Sequence, residues 1–200
     1  MYSACDMSAP SSDEELMLSY AAGQADAFDT LYARHKGGVY RYLLRHCSNR
    51  SIADELFQDV WMNAIRARAR YAPTAKFSTW LYTLARNRLI DHWRAKGGAH
   101  FTSLDEEGED GGSIVETLQA PGDDPRAGLE TAQLREHLHA ALATLPAAQR
   151  DAFLLQHEAG LSLAEIATLT GVGQETVKSR LRYAVGKLRG ELVALREDIL

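Results

Sequence analysis

Most of the residue patterns that announce a chemistry are absent from this chain. Its two cysteines, Cys5 and Cys47, are too few and too far apart for a disulfide framework or a metal cluster. No apolar run is long enough to span a membrane, and no signal-peptide core follows Met1. A cytoplasmic protein without membrane insertion is therefore expected. The seven histidines are scattered. His137 and His139, two apart on a helical stretch, point to different faces and make poor metal partners. GVGQETVKS ends like a phosphate-binding loop, but Val177 stands where that loop needs glycine, and no strand precedes it. No nucleophile–base arrangement suggests itself. There is no case here for an enzyme, a cofactor or a small-molecule substrate. Convincing strand alternation is missing too, so the predicted fold class is all-α.

Acidity is present but unevenly placed. The net charge of −5 looks wrong for a nucleic-acid binder until the chain is divided. Residues 1–15 carry Asp6, Asp13, Glu14 and Glu15 and no base. Residues 16–104 hold thirteen basic and six acidic side chains; residues 105–124 hold eight acids and no base; residues 125–200 balance. The first folded stretch is basic, as a phosphate-facing surface requires.

The most informative stretch is Leu161 to Arg189, which reads as two helices joined by a tight turn. Ser162 and Glu165 form a capping box, each side chain satisfying a free N–H near the helix start. Leu163, Ile166, Ala167 and Leu169 make one apolar face, and Gly171 supplies the left-handed stop. Val172 packs down in the turn and Gly173 lets the chain restart. Val177, Leu181, Ala184 and Leu188 line the buried side of the second helix. Its exposed side carries Lys178, Arg180, Arg182, Lys187 and Arg189, with no acid between Thr176 and Gly190. A buried stripe, a polar first turn and basic flanks suit insertion into a DNA major groove. The plainer alternative is a helical hairpin with a solvated basic face.

Taken in order, the chain predicts a helix capped by Ser12 and Glu15 that runs to about Gly23. Asp26 caps a long second helix bearing Phe28, Leu31, Tyr32, Val39, Tyr42 and Leu43, which Gly37 and Gly38 loosen midway. Ser51 caps a third helix with Ile52, Leu56, Val60, Ala64 and Ile65 on one side and Asp54, Glu55, Gln58 and Asp59 on the other. It ends near Arg70, and a proline-marked loop covers residues 71–76. A fourth helix spans Ser78 to Lys96 with Trp80, Leu81, Leu84, Leu89 and Ile90 in the core. Residues 97–128 are rich in glycine, acid and proline and cannot bury enough surface to offset ordering. They read as a flexible acidic linker. Helices resume at Leu129 with Leu134, Leu138, Ala141, Leu142 and Leu145; Pro146 opens the next. The predicted plan is a tail over 1–15, a helical domain over 16–96, the linker, and a second helical domain over 129–200.

Three segments, AFDTLYARHKGGVYRYL, ADELFQDVWMNAIR and FSTWLYTLARNRLIDHWR, together resemble the first domain of an extracytoplasmic-function (ECF) sigma factor of the sigma-70 family. ALATLPAAQRDAFLLQHEAGLSLAEIATLTGVGQETVKSRL resembles that family's second domain. The resemblance implies a protein that binds core RNA polymerase and directs it to promoter DNA, melting the −10 element with the first domain and reading the −35 element with the second. It also implies an anti-sigma factor as partner. A helix–turn–helix regulator with no sigma role is the alternative.

On this resemblance Asp54, Glu55, Gln58 and Asp59 face a basic coiled coil of the polymerase clamp, with the usual order of the two leading acids reversed. Tyr71, Lys76, Phe77, Ser78 and Thr79 offer stacking and hydrogen-bonding groups for a base flipped from the −10 element. Asn87 reads a base edge, and Arg86, Arg88 and Arg94 hold phosphates. Trp80 and Trp93 either stack on bases or pack in the core. Gln174, Glu175, Thr176, Ser179 and Arg180 reach −35 base edges, while Lys178 and Arg182 hold phosphates. Glu175 either accepts from a cytosine amino group or complements the positive helix end. The family's linker threads the RNA exit path, and Asp105, Glu106, Glu107, Glu109 and Asp110 supply attraction there.

Overall fold

The computed structural model describes residues 11–47, 49–96 and 137–198, with side chains as far as 191. Among these residues there are eight α-helices and no strand. The first group comprises α1 (Asp13–Ala21), α2 (Ala25–His46), α3 (Arg50–Ala67) and α4 (Phe77–Ala95), with a short 3₁₀ turn at Arg68–Arg70 after α3. The second comprises α5, described over 137–143, then α6 (Ala147–His157), α7 (Leu163–Thr170) and α8 (Gln174–Asp198). The linker reading, Leu129 and Leu134 lie outside the described residues.

Local chemistry explains most of the boundaries. Both capping boxes form: Ser12 with Glu15 opens α1, and Ser162 with Glu165 opens α7. Gly171 ends α7 in the left-handed region at φ 76°, where a side chain's Cβ would be strained. Asp13, Glu14 and Glu15 make up the first turn of α1, the helix expected to open after Ser12. Two predicted caps move. Gln24 precedes α2 without a side-chain bond, and Asp26 sits inside the first turn, where it still complements the helix dipole. Asn49, not Ser51, caps α3; its side chain accepts from the Ser51 N–H at 2.7 Å.

The predicted apolar stripes build a continuous core. Leu31, Val39, Tyr42 and Leu43 of α2 meet Ala53, Leu56 and Val60 of α3 and Leu81, Ala85 and Leu89 of α4. In the second group Leu142, Leu145, Leu154 and Leu155 pack with Ile166, Val177, Leu181 and Ala184. Each fully buried leucine contributes roughly 1.5–3 kcal/mol.

The two groups also pack directly on each other, through α2 and α4 on one side and α6 and α7 on the other. Gly37 and Gly38 do not loosen α2, which runs unbroken. A Cβ on Gly38 would lie 2.7 Å from the Tyr82 hydroxyl oxygen and 3.0 Å from the Glu158 carbonyl oxygen. Glycine is there so that α4 and the end of α6 can close over α2.

Candidate nucleic-acid interface

The helix–turn–helix geometry follows from its caps and its buried stripe. Val177, Leu181, Ala184 and Leu188 are all buried, which fixes the rotation of α8. Gln174, Glu175, Thr176, Lys178 and Arg182 then face solvent, and Ser179 and Arg180 are half-buried beside them. All seven expected contacts thus gather at one end of one helix. Lys178 Nζ is 3.7 Å from Glu175, a solvated pair that contributes little to stability.

The first-group residues are less uniform. Tyr71 is half-buried, its ring edge-on to Trp80 at 5.1 Å and to Phe77 at 6.2 Å. Burial and the nearby Glu14 and Asp13 carboxylates push its hydroxyl up to about 12. Phe77 is 1% exposed and belongs to the core, so in this conformation it offers no face to a base. Trp80 and Trp93 are partly buried and pack against the core. On α4, Asn87 and Arg94 are exposed, seven residues apart and hence on one face.

Three of the expected DNA contacts are engaged by acids of the second group. Lys76 Nζ lies 3.2 Å from Glu165, and the Thr79 hydroxyl donates to the same carboxylate at 3.1 Å. The Ser162 hydroxyl and backbone, followed by Lys76 and Thr79, bring the Glu165 carboxyl down to about 2 despite some desolvation. Arg86 is 8% exposed and donates through Nε to Asp151 at 2.8 Å. Asp151 also accepts from the Tyr42 hydroxyl at 2.8 Å and has His46 Nε2 at 3.5 Å. Burial by itself raises the Asp151 carboxyl, but His46 and Arg86 outweigh it and bring it to about 2. Burial holds the His46 imidazole below its ordinary range, against the opposing pull of Asp151.

A third acid completes this seam. Glu158 pairs with both Arg41 and Arg45 of α2, and its carbonyl accepts from the Tyr82 hydroxyl at 3.0 Å. Asp151 and Glu158 were not anticipated from the sequence, and their partners Arg86 and Tyr42 were expected in other roles, on phosphate and in the core. The one visible signal was a lone acid, Asp151, heading the apolar run Ala152–Leu155.

The acidic face of α3 is only partly free. Asp54 accepts from the Tyr40 hydroxyl at 2.8 Å, and Asp59 pairs with Arg88. Arg88, expected on phosphate, thus spans two of the predicted sites. Glu55 and Gln58 are exposed. Met62, 46% exposed, extends the same face by one turn and was not anticipated. Among the described residues no cluster of His, Cys, Asp or Glu could hold a metal ion, and no helix is long and apolar enough to cross a membrane.

Comparison with known proteins adds a second line. The sequence signature of Sigma-70 region 2 matches residues 31–98, and that of Sigma-70 region 4 matches residues 135–188. The chain is similar to RNA polymerase sigma factor CarQ of Myxococcus xanthus, at 33% identity over 92% of this chain and 99% of that one. It is also similar to ECF RNA polymerase sigma factor SigM of Mycobacterium tuberculosis, at 32% identity over 88% and 83%. Its fold matches CnrH, solved in complex with the cytosolic domain of CnrY, with a TM-score of 0.64 and 23% identity, covering 91% of this chain and 97% of that one. It likewise matches the sigma factor RpoE of Bartonella quintana, solved with the anti-sigma factor NepR: TM-score 0.61, 23% identity, covering 82% and 96%.

Proposed function

This chain belongs to the ECF sigma factors of the sigma-70 family, and from that premise we propose how its surfaces divide the work of promoter-specific initiation. The observation that carries the reading is the pair of sigma signatures, in family order, over the two helical groups. As a sigma factor it binds core RNA polymerase and directs it to promoters. It acts beside DNA in the cytoplasm as a non-enzymatic factor, and the polymerase does the chemistry. An anti-sigma factor is the further partner, as NepR is for the fold neighbour from Bartonella quintana.

Residues 16–96, extended at the front by α1, form the unit for core and the −10 element. Residues 129–200 form the unit for the −35 element, with 97–128 as the connector. Asp54, Glu55, Gln58 and Asp59 form the clamp-facing surface, and their clustering on α3 supports this. On α8, Gln174, Glu175, Thr176, Ser179 and Arg180 read base edges, while Lys178 and Arg182 hold phosphates. The exposure of the α8 groups, all but the half-buried Ser179 and Arg180, supports that division.

Lys76, Thr79 and Arg86 bear on how the protein engages DNA. Each is held by a carboxylate of the second unit, in the place a phosphate oxygen would take. We read this packed arrangement as the form free of polymerase. Promoter binding then exchanges Glu165 and Asp151 for DNA. Charge reversal of Asp54, Glu55 and Asp59 together tests the core assignment. Association with core should be lost, with circular dichroism unchanged. Undiminished association would place the contact elsewhere.

A further inference from the structure

The helix that carries most of the −10 candidates begins without a cap of its own. Lys76, its N-cap residue, has no acceptor in its side chain and makes no capping bond. The first N–H of α4, that of Phe77, is satisfied from 63 residues away: it donates to Glu14 Oε1 at 2.6 Å. Glu14 stands in the first turn of α1, and that turn is itself held fast. Ser12 and Glu15 close its capping box. Asp13 receives Arg34 at 2.7 Å and His35 at 2.6 Å, which tie α1 to α2. Met17, one turn on, is 2% exposed. Three consecutive carboxylates thus do three separate things, and the middle one crosses to the joint between loop 71–76 and α4.

That joint matters because of what meets there. Phe77 is the first residue of α4 and is buried, with Tyr71 and Trp80 packed on its ring. Fixing the Phe77 N–H therefore fixes the ring, and through it the two aromatics that flank the loop. A carboxylate at a helix N-terminus also complements the dipole there. We propose that Glu14 is a positioning residue for promoter opening, capping α4 from outside so that loop 71–76 is held ready for a base leaving the duplex. The proposal rests on the reading of this segment as the −10 surface. It gives the short N-terminal helix a role in melting, which nothing in the −10 candidates themselves indicates.

The test uses full-length protein with core polymerase and three variants. Glu14→Gln keeps an oxygen at the same reach but removes the charge; Glu14→Asp keeps the charge but withdraws the oxygen from Phe77; Glu14→Ala removes both. Opening is followed by fluorescence of 2-aminopurine placed in the −10 element, beside core affinity and amide exchange at Phe77. Losing a cap corresponds to roughly tenfold. Glu14→Asp and Glu14→Ala should slow opening and speed Phe77 exchange by about that factor, with core affinity unchanged, and Glu14→Gln should stay close to wild type. The assignment is overturned if all three variants open promoters like wild type. It is equally overturned if Glu14→Asp is normal while Glu14→Gln is impaired, since charge alone would then suffice. Loss of core affinity in step with opening overturns it as well. A wild-type protein that opens no promoter with core overturns the −10 reading and this proposal together, which separates the two failures.

Discussion

Asparagine at position 151 is the most informative single change to the seam between the two units. The side chain is nearly isosteric and keeps an oxygen for the Tyr42 hydroxyl, but it removes the charge facing Arg86. Asp151 is 1% exposed and its carboxyl sits near 2 rather than at 3.8, a difference of nearly two pH units. Each unit corresponds to 1.36 kcal/mol, so this site prefers the charged form by about 2 kcal/mol. Leaving Arg86 buried without its counter-ion raises the cost toward the 3–5 kcal/mol typical of a broken buried pair. Tyr42, His46 and Arg86 belong to the first unit and Asp151 to the second, so the cost falls on their docking. Docking should weaken by about thirtyfold or more.

Small-angle scattering on the full chain reports the parting of the units, and amide exchange on α6 reports its exposure. Pairing Asp151→Asn with Arg86→Gln in a double-mutant cycle isolates the coupling. The pH dependence has a definite sign. The depressed Asp151 carboxyl contributes docking stability above pH 3.8, lost as pH falls through about 2. His46, whose imidazole burial holds below its ordinary range, acts sooner: as pH falls below 6.5 an exposed imidazole takes up a proton more readily than the docked one. Docking should therefore weaken as pH drops below 6.5, and less so in His46→Gln. A change under about 0.5 kcal/mol for Asp151→Asn, with no coupling to Arg86, would refute the argument from the buried pair.

Gly38→Ala tests the close approach. Alanine favours the helix by up to about 1 kcal/mol, but its Cβ meets Tyr82 and Glu158, at about 1–3 kcal/mol. Tyr82 lies within the first unit and Glu158 across the seam, so docking should fall and the first unit's own unfolding midpoint should not rise by the full helix gain; undiminished docking would contradict the geometry. For the −35 contacts, Arg180→Ala should cost about 1–3 kcal/mol at one promoter position if it reads a guanine. Lys178→Ala should weaken binding evenly and flatten the salt dependence. Identical profiles for the two on single-base promoter variants would refute the division of labour.

What could be read from the chain was the chemistry that closes over a few residues. The Ser162–Glu165 box, the Gly171 stop and the Val177–Leu188 stripe are local, and the helix–turn–helix took the expected form. The fourth helix and the acidic face of α3 were legible for the same reason. The caps at Gln24 and Asn49 were missed because an aspartate or a serine two residues on is chemically at least as good a cap, and only the chain's path decides. The burial of Phe77 was not legible because loop and helix meet at it, and its surroundings come from α1 and α2. The seam was invisible for a physical reason. Asp151 finds Arg86, and Glu158 finds Arg41 and Arg45, across 65 to 117 residues and an intervening acidic segment. No periodicity records such partners. Glu14 is the same case on a smaller scale: within α1 it reads as one more first-turn acid.

This protein, as a sigma factor, gives core polymerase its choice of promoter, and in-vitro transcription tests that most directly. Core alone, and core with the full-length protein, are incubated with a genomic promoter library, and transcript starts are mapped. Transcripts that require the protein, and that share one −35 and one −10 sequence at fixed spacing, are the predicted result. Sequence-specific DNA binding by the protein without core, with no protein-dependent transcript, would contradict the sigma assignment and leave a helix–turn–helix regulator in its place.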